Sequence, residues 1–281
     1  MPDPYSNRHR GTIMPVEPGA TAASIYREHE PHPALRRHVE CYWTVTGRVG
    51  PGQANHLTVL PDGCMDILFN FGDPPLNGGV PTGGGCAVGT MTRALEVGRR
   101  GQVDVLGVRF RPGAATPFLP LPASELTDTT LALDELWGSA AGEAVERLAD
   151  HRDEARRVGV LDGLLRDRLC GCLRGVDERV LVASDLVSAT AGRVTVDGLA
   201  KASGLGRRQL ERRFLAVVGT PPKVAVRVAR FRAAVMRMHR QPGSSLSLVA
   251  AETGYADQAH FTREFKALAG TSPGRYREGI G

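Results

Sequence analysis

The last third of this chain contains a weak copy of itself, and that repeat limits the possible folds more than any other feature. TVDGLAKASGLGRRQLERRFLAVVGTPP and SLSLVAAETGYADQAHFTREFKALAGTSP align Thr195 with Ser245, Ala200 with Ala250 and Gly204 with Gly254. One extra residue then enters the second copy. Beyond it Leu210 falls on Phe261, Arg212 on Arg263, Phe214 on Phe265, Gly219 on Gly270 and Pro222 on Pro273. A repeated sequence implies a repeated structural unit.

Each copy reads as helix, short turn, helix. Thr195 and Ser245 are N-cap residues, able to accept from the orphan amides of a first helical turn. Gly204 and Gly254 supply the tight turn a helix-turn-helix requires. Asp257 caps the longer helix of the second copy, whose apolar face is Phe261, Phe265 and Leu268. Gly219 and Gly270 end their helices in a left-handed residue with proline just beyond. The first copy is less regular: Gly206 stands where a serine would cap better, and Gly198 weakens its first helix. Between the copies, PKVAVRVARFRAAVMRMHR reads as a basic amphipathic helix opened by Pro222. From Val224 to His239 it spans about 24 Å, enough to hold two reading helices about one DNA turn, ~34 Å, apart.

Charge follows the same division. Residues 192–281 hold sixteen Lys+Arg against six Asp+Glu, a balance of +10, whereas the rest of the chain is at −5. A basic end on an otherwise acidic chain points to a polyanionic partner. No run of about 18 apolar residues suggests a membrane span. The first 24 residues lack the apolar stretch of a signal peptide and read as a flexible tail, so a cytoplasmic location is expected. The five cysteines, Cys41, Cys64, Cys86, Cys170 and Cys172, form no C-x-x-C pair. That argues against a disulfide framework or a four-ligand zinc site, and no cofactor or metal is expected.

Residues 25–191 read as a separate domain, strands first and helices after. VECYWTV, HLTVL, CMDILFNF and VDVLGVRF are rich in β-branched and aromatic residues and are separated by Gly/Pro clusters. NGGVPTGGG (77–85) is a turn between two of them, with no Gly-Lys-Ser/Thr to make it a phosphate loop. Strands this short and closely spaced predict a small barrel or sandwich. In VLDGLLRDRLCGCL, Leu161, Leu164, Leu165, Leu169, Cys172 and Leu173 share one helical face, either a core stripe or a homodimer contact over residues 161–173. The whole chain is therefore expected to be α+β: a small β-barrel or sandwich-like domain with a helical extension, then an all-α domain over residues 192–281 with two helix-turn-helix units.

GYADQAHFTREFKALAGTSPGRYR, following SLVAAET, resembles the closing pattern of the AraC/XylS family of bacterial transcription regulators. The resemblance covers residues 192–278, and LPDGCMDILFNF and LGVRFRPGA resemble a sensory domain that often precedes this module. It implies two helix-turn-helix units joined by one helix, double-stranded DNA as partner, a small-molecule effector as input, and RNA polymerase as a further partner if the chain activates. The family usually has a serine where Gly206 stands, which implies a looser start to the first reading helix.

In that arrangement Leu210, Phe214 and Val218 point inward, and Arg208, Glu211 and Arg212 share the outward face near the end that enters a major groove. Arginine bonds guanine O6 and N7, and glutamate accepts from cytosine N4; Glu211 otherwise orients Arg208 or Arg212. Gln258, Ala259, His260 and Arg263 hold the equivalent surface of the second helix, at positions the family uses. His260 either touches a base or packs beside the turn, and Arg263 either reads a base or pairs with Glu264 or Asp257. Arg207, Arg213, Arg230 and Lys266 are candidates for phosphate.

For an effector site the candidates are Trp43, His56, Asp62, Asp66, Arg109 and Arg111. The two arginines alternate with Phe110 and are expected on one strand face, either binding an anion or pairing with Asp62 and Asp66. Two competing functions remain: an alkyl-transfer enzyme with a reactive cysteine fused to the module, which needs a thiolate in a positive environment, and a redox switch through Cys170 and Cys172.

Overall fold

The computed structural model describes residues 24–50, 55–76, 83–172 and 175–279. The tail expected over residues 1–24, apart from its last residue, and most of the 77–85 turn lie outside these. The N-terminal strands are β1 (Ile25–His29), β2 (Val39–Val49), β3 (Asn55–Val59), β4 (Met65–Asn70), β5 (Gly84–Val88), β6 (Leu95–Arg99), β7 (Gly101–Phe110) and β8 (Thr130–Ala132). Six of them form one antiparallel sheet in the order β1-β2-β7-β4-β5-β8, and β3 pairs with β6 in a separate two-stranded ribbon.

Strand alternation gives the main sheet two different faces. Tyr42, Ile67, Leu106, Val108 and Phe110 project from one face and are almost fully buried. They share a core with α1 (Leu133–Trp137), α2 (Ser139–Ala149) and α3 (Glu154–Gly171). From the other face Trp43, Val103, Val105 and Leu68 form a smaller cluster under the β3–β6 ribbon. Gly107 permits this packing, because a Cβ there would come within 2.2 Å of the Trp43 ring.

The leucine stripe of residues 161–173 belongs to the first core. Leu161 and Leu165 are 0% exposed, and Leu164 and Leu169 pack against the same cluster. Cys172 follows the end of α3, and Leu173 lies outside the described residues. Of the two roles the sequence left open for this face, the core stripe is the one observed.

The rest of the chain is helical: α4 (Glu178–Ala189), α5 (Val196–Ser203), α6 (Arg207–Val218), α7 (Pro222–Arg240), α8 (Leu246–Glu252), α9 (Gln258–Ala269) and α10 (Pro273–Glu278). Two cores run through it. Leu199, Leu210, Phe214 and Val226 belong to the first, together with Val180, Ala183 and Val187 of α4. Phe231, Val235, Val249, Phe261, Phe265 and Tyr276 belong to the second. The helical body thus begins with α4, ahead of Gly192. Helix α7 contributes side chains to both cores, so it fixes the two units relative to each other over about 28 Å of helix.

Candidate nucleic-acid interface and adjoining cavity

The two repeat units are built by the caps the sequence offers. The Thr195 side chain accepts from the Gly198 amide, Ser245 from Leu248 and Asp257 from His260 at 2.6 Å. Gly204 and Gly254 turn between helices at φ 63° and 83°, values that carry little steric cost only for glycine. Gly206 at the start of α6 makes no side-chain cap bond, so α6 starts with fewer of its orphan amides held than α9.

On α6, Leu210, Phe214 and Val218 are buried, and Arg208, Glu211 and Arg212 are exposed on the opposite side. Glu211 pairs with Arg207 at 3.3 Å rather than with Arg208 or Arg212, and Arg207 also reaches Asp197 at 3.3 Å. On α9, Gln258, Ala259, Arg263 and Lys266 are exposed. Glu264 is bonded to Arg227 at 2.6 Å, and Arg263 makes no ion pair with it or with Asp257. Among the described residues Arg208, Arg212 and Arg263 stand outward with no acidic partner.

Three other candidates sit differently. His260 is half-buried: its ring meets Tyr255 edge-on at 5.3 Å, and its Nδ1 accepts from the Ala256 amide at 3.4 Å. It packs beside the turn, the second of the two roles the sequence left open. Arg213 donates to Asp177, the cap of α4, at 2.6 Å. Arg230 lies over the Tyr255 ring, bonds the Gly192 carbonyl at 3.3 Å and faces Glu264 at 3.9 Å. Both arginines, phosphate candidates in the sequence, are thus engaged by partners within the protein. Their partners are far off in sequence, which is why local pattern did not reveal them.

The N-terminal domain touches the C-terminal ends of both α6 and α9. The last carbonyls of a helix lack intrahelical donors. Here the Thr90 hydroxyl donates to the Val218 carbonyl at 2.7 Å, Thr127 donates to the Gly219 carbonyl, and the Ala94 amide donates to the Leu268 carbonyl at 2.8 Å. The segment between β5 and β6 thus reaches the C-terminal ends of α6 and α9 together. Arg232 of α7 adds an ion pair to Glu40 of β2 at 3.6 Å.

That same segment borders a cavity of about 480 Å³ between the main sheet and the β3–β6 ribbon. Its walls include Leu57, Val59, Leu68, Val97, Val103 and Val105, with Trp43, Asp62, Asp66 and Arg109 among its polar and aromatic groups. Arg109 is 2% exposed and bonds both oxygens of Asp66, at 3.2 and 3.1 Å, and Asp62 at 3.3 Å. Of the two roles open to it, the pairing is the one observed. Burial pushes the Asp66 carboxyl up to about 6, against the pull of Arg109 and with Asp62 adding to the rise. Arg111 does not share the Arg109 face; β7 ends at Phe110, and the Arg111 Nε donates to the Arg36 carbonyl at 2.8 Å. His56 is exposed and alternates with the inward Leu57. Neither is among the residues that line the cavity.

The cysteines do not fit alkyl transfer. Cys41, Cys64 and Cys86 are buried, and burial raises each thiol, Cys86 to about 12, the direction opposite to an activated thiolate. Cys170 is exposed and Cys172 half-buried.

Comparison with known proteins gives two family matches. Residues 199–279 match a helix-turn-helix domain, and residues 27–132 match a domain of unknown function, DUF6597. The chain is 30% identical over 112 residues to the HTH-type transcriptional regulator MtrA of Neisseria gonorrhoeae, a match covering 39% of this chain and 37% of MtrA. It thus spans little more than a third of that relative. Among solved structures, a transcriptional regulator with an AraC-type DNA-binding domain from Chromobacterium violaceum is 24% identical, with 37% of this chain and 92% of that one covered and a TM-score of 0.34. ToxT from Vibrio cholerae is 10% identical, with 80% and 97% covered and a TM-score of 0.46.

Proposed function

We propose that this chain, an AraC-type helix-turn-helix regulator with an N-terminal DUF6597 domain, binds specific DNA sequences through α6 and α9 and regulates transcription in response to a small molecule held by its N-terminal domain. The observation that carries this reading is the contrast among the basic residues. Arg208, Arg212 and Arg263 face outward without an acidic partner among the described residues, whereas Arg213, Arg227 and Arg230 are tied inside the helical body. Unpaired arginines near the N-terminal halves of two helices held by one rigid spacer suit two successive major grooves. Gln258 and Ala259 add an amide and a methyl to the second reading surface. Lys266, exposed further along α9, suits a phosphate, which orients a protein without specifying sequence.

The cavity and the helix-end contacts support the regulatory half of the reading. An occupant between the sheet and the β3–β6 ribbon would press on the segment containing Thr90 and Ala94, and these two residues hold the ends of both reading helices. Selection of bound sequences from random duplex DNA by the purified chain tests the proposal. Enrichment of a two-part site, its parts about one helical turn (~34 Å) apart, is the expected result. Binding that enriches no sequence contradicts it.

A further inference from the structure

We propose that the cavity of the N-terminal domain takes an elongated apolar molecule carrying a single carboxylate, with the carboxylate at Arg99. This deepens the sensory reading given above and rests on it. The argument starts from strand alternation. On β6, Leu95, Val97 and Arg99 line the cavity, and Glu96 faces outward to bond Thr58. An arginine therefore closes an inward row that is otherwise apolar.

The other cavity arginines are differently placed. Arg109 is matched by Asp62 and Asp66, and Arg100 is exposed. Arg99 is half-buried, has no acidic partner among the described residues, and its guanidinium is pushed down by burial alone. An unpaired cation lining an apolar space calls for an anion. A second donor is also unmet: the Trp43 indole Nε1, on the cavity floor across Gly107, has no hydrogen-bond partner among the described residues. Buried donors without partners are uncommon, and an oxygen-bearing ligand would satisfy this one.

The two ends of the cavity have opposite charge, and this sets the orientation. Arg100 alone separates β6 from β7, so Arg99 lies at the Gly101 end of β7, about 26 Å of strand from Arg109. At the Arg109 end three carboxylates, Glu40, Asp62 and Asp66, face two guanidiniums, Arg109 and Arg232. That surplus of negative charge repels a carboxylate. At the other end the lining holds the Asp73 carboxylate, which accepts from the Gln102 amide at 2.7 Å, against two guanidiniums, Arg99 and Arg100, a surplus of positive charge that leaves Arg99 as the anchor and the Val, Leu and Trp walls for the chain. A volume of about 480 Å³ suits one such molecule.

Calorimetry on the full chain with octanoate, 1-octanol and octylamine, three probes with the same tail, tests the assignment. Trp43 fluorescence in a Trp137→Phe background, where Trp43 is the one remaining tryptophan, reports whether the probe sits in this cavity. Octanoate should bind at least about tenfold tighter than octanol, as a charge-assisted hydrogen bond provides, and octylamine more weakly than octanoate. Arg99→Gln should abolish the preference for octanoate over octanol, and Arg99→Glu should turn it toward octylamine. Octylamine binding tightest to the wild-type chain, no binding of octanoate, or an unchanged preference in Arg99→Gln would each overturn the proposal. DNA selection with the same samples separates the two readings. A selected site with no carboxylate preference sinks only the ligand class, whereas absence of any selected site sinks the regulator reading whatever the cavity binds.

Discussion

Asp66 shows at the scale of one residue how a buried charge cluster makes stability depend on pH. Two carboxylates share the Arg109 guanidinium, and burial raises Asp66 to about 6 from its ordinary 3.8. A carboxyl whose folded pKa lies above its unfolded one favours the folded state while protonated. That contribution is complete below about pH 4 and is lost as pH rises through about 6. The Asp66→Asn variant cannot ionise, so stability measured against the wild type should show a relative gain for the variant as pH rises from 4 to 6. A constant difference between the two proteins across that range would show that Asp66 titrates normally. The basic residues separate by a second measurement. Lys266→Ala should reduce the salt dependence of DNA binding by about one unit of slope. Arg213→Ala, which breaks an internal tie to Asp177, should lower the melting temperature and leave that slope unchanged.

The secondary-structure elements show where sequence pattern succeeds and where it stops. The helix-turn-helix units were legible because their caps, turn glycines and apolar faces are local, each decided within four residues. Strands β2, β3, β4 and β7 were legible from β-branched and aromatic content. Strands β1 (IYREH), β5 (GGCAV), β6 (LEVGR) and β8 (TLA) were not: they are charged, glycine-rich or only three residues long, and only pairing with neighbours makes them strands. Arg99 went unseen with β6, although the alternation Leu95, Val97, Arg99 was there to read. The role of α4 was hidden too, because its partners lie on α5, α6 and α7. A fragment of residues 175–281 should therefore fold on its own, whereas one of residues 192–281 lacks Val180, Ala183 and Val187 and leaves Phe214 and its neighbours partly uncovered. Loss of cover costs about 1.5–3 kcal/mol for each large apolar side chain, so the shorter fragment should melt lower. Equal melting temperatures would place the boundary at Gly192 after all. The helix-end contacts yield a further prediction. Removing the hydroxyl donors with Thr90→Val and Thr127→Val should speed amide hydrogen exchange in the last turn of α6. The end of α9, held by the Ala94 backbone amide, should be unaffected. Unchanged exchange at α6 would show that these bonds do not hold the helix.

Across the whole molecule, a sheet domain with a charged, apolar-walled cavity is joined to a helical body of two repeat units through the ends of α6 and α9. The central claim is that those helices read base sequence, and Arg212 and Arg263 stand at equivalent places in the repeat to test it. Each follows a buried residue, Leu210 or Phe261, by two positions, so packing fixes the helix and leaves the arginine outward. The more direct measurement compares the selected binding sites of the wild type, Arg212→Ala and Arg263→Ala. Each variant should lose about 1–3 kcal/mol of discrimination at one or two base pairs, Arg212 in one half-site and Arg263 in the other. The effect should be larger for Arg263, because α9 is capped by Asp257 while α6 starts at the uncapped Gly206. Uniform weakening in both variants, with base preferences the same as wild type, would contradict the account.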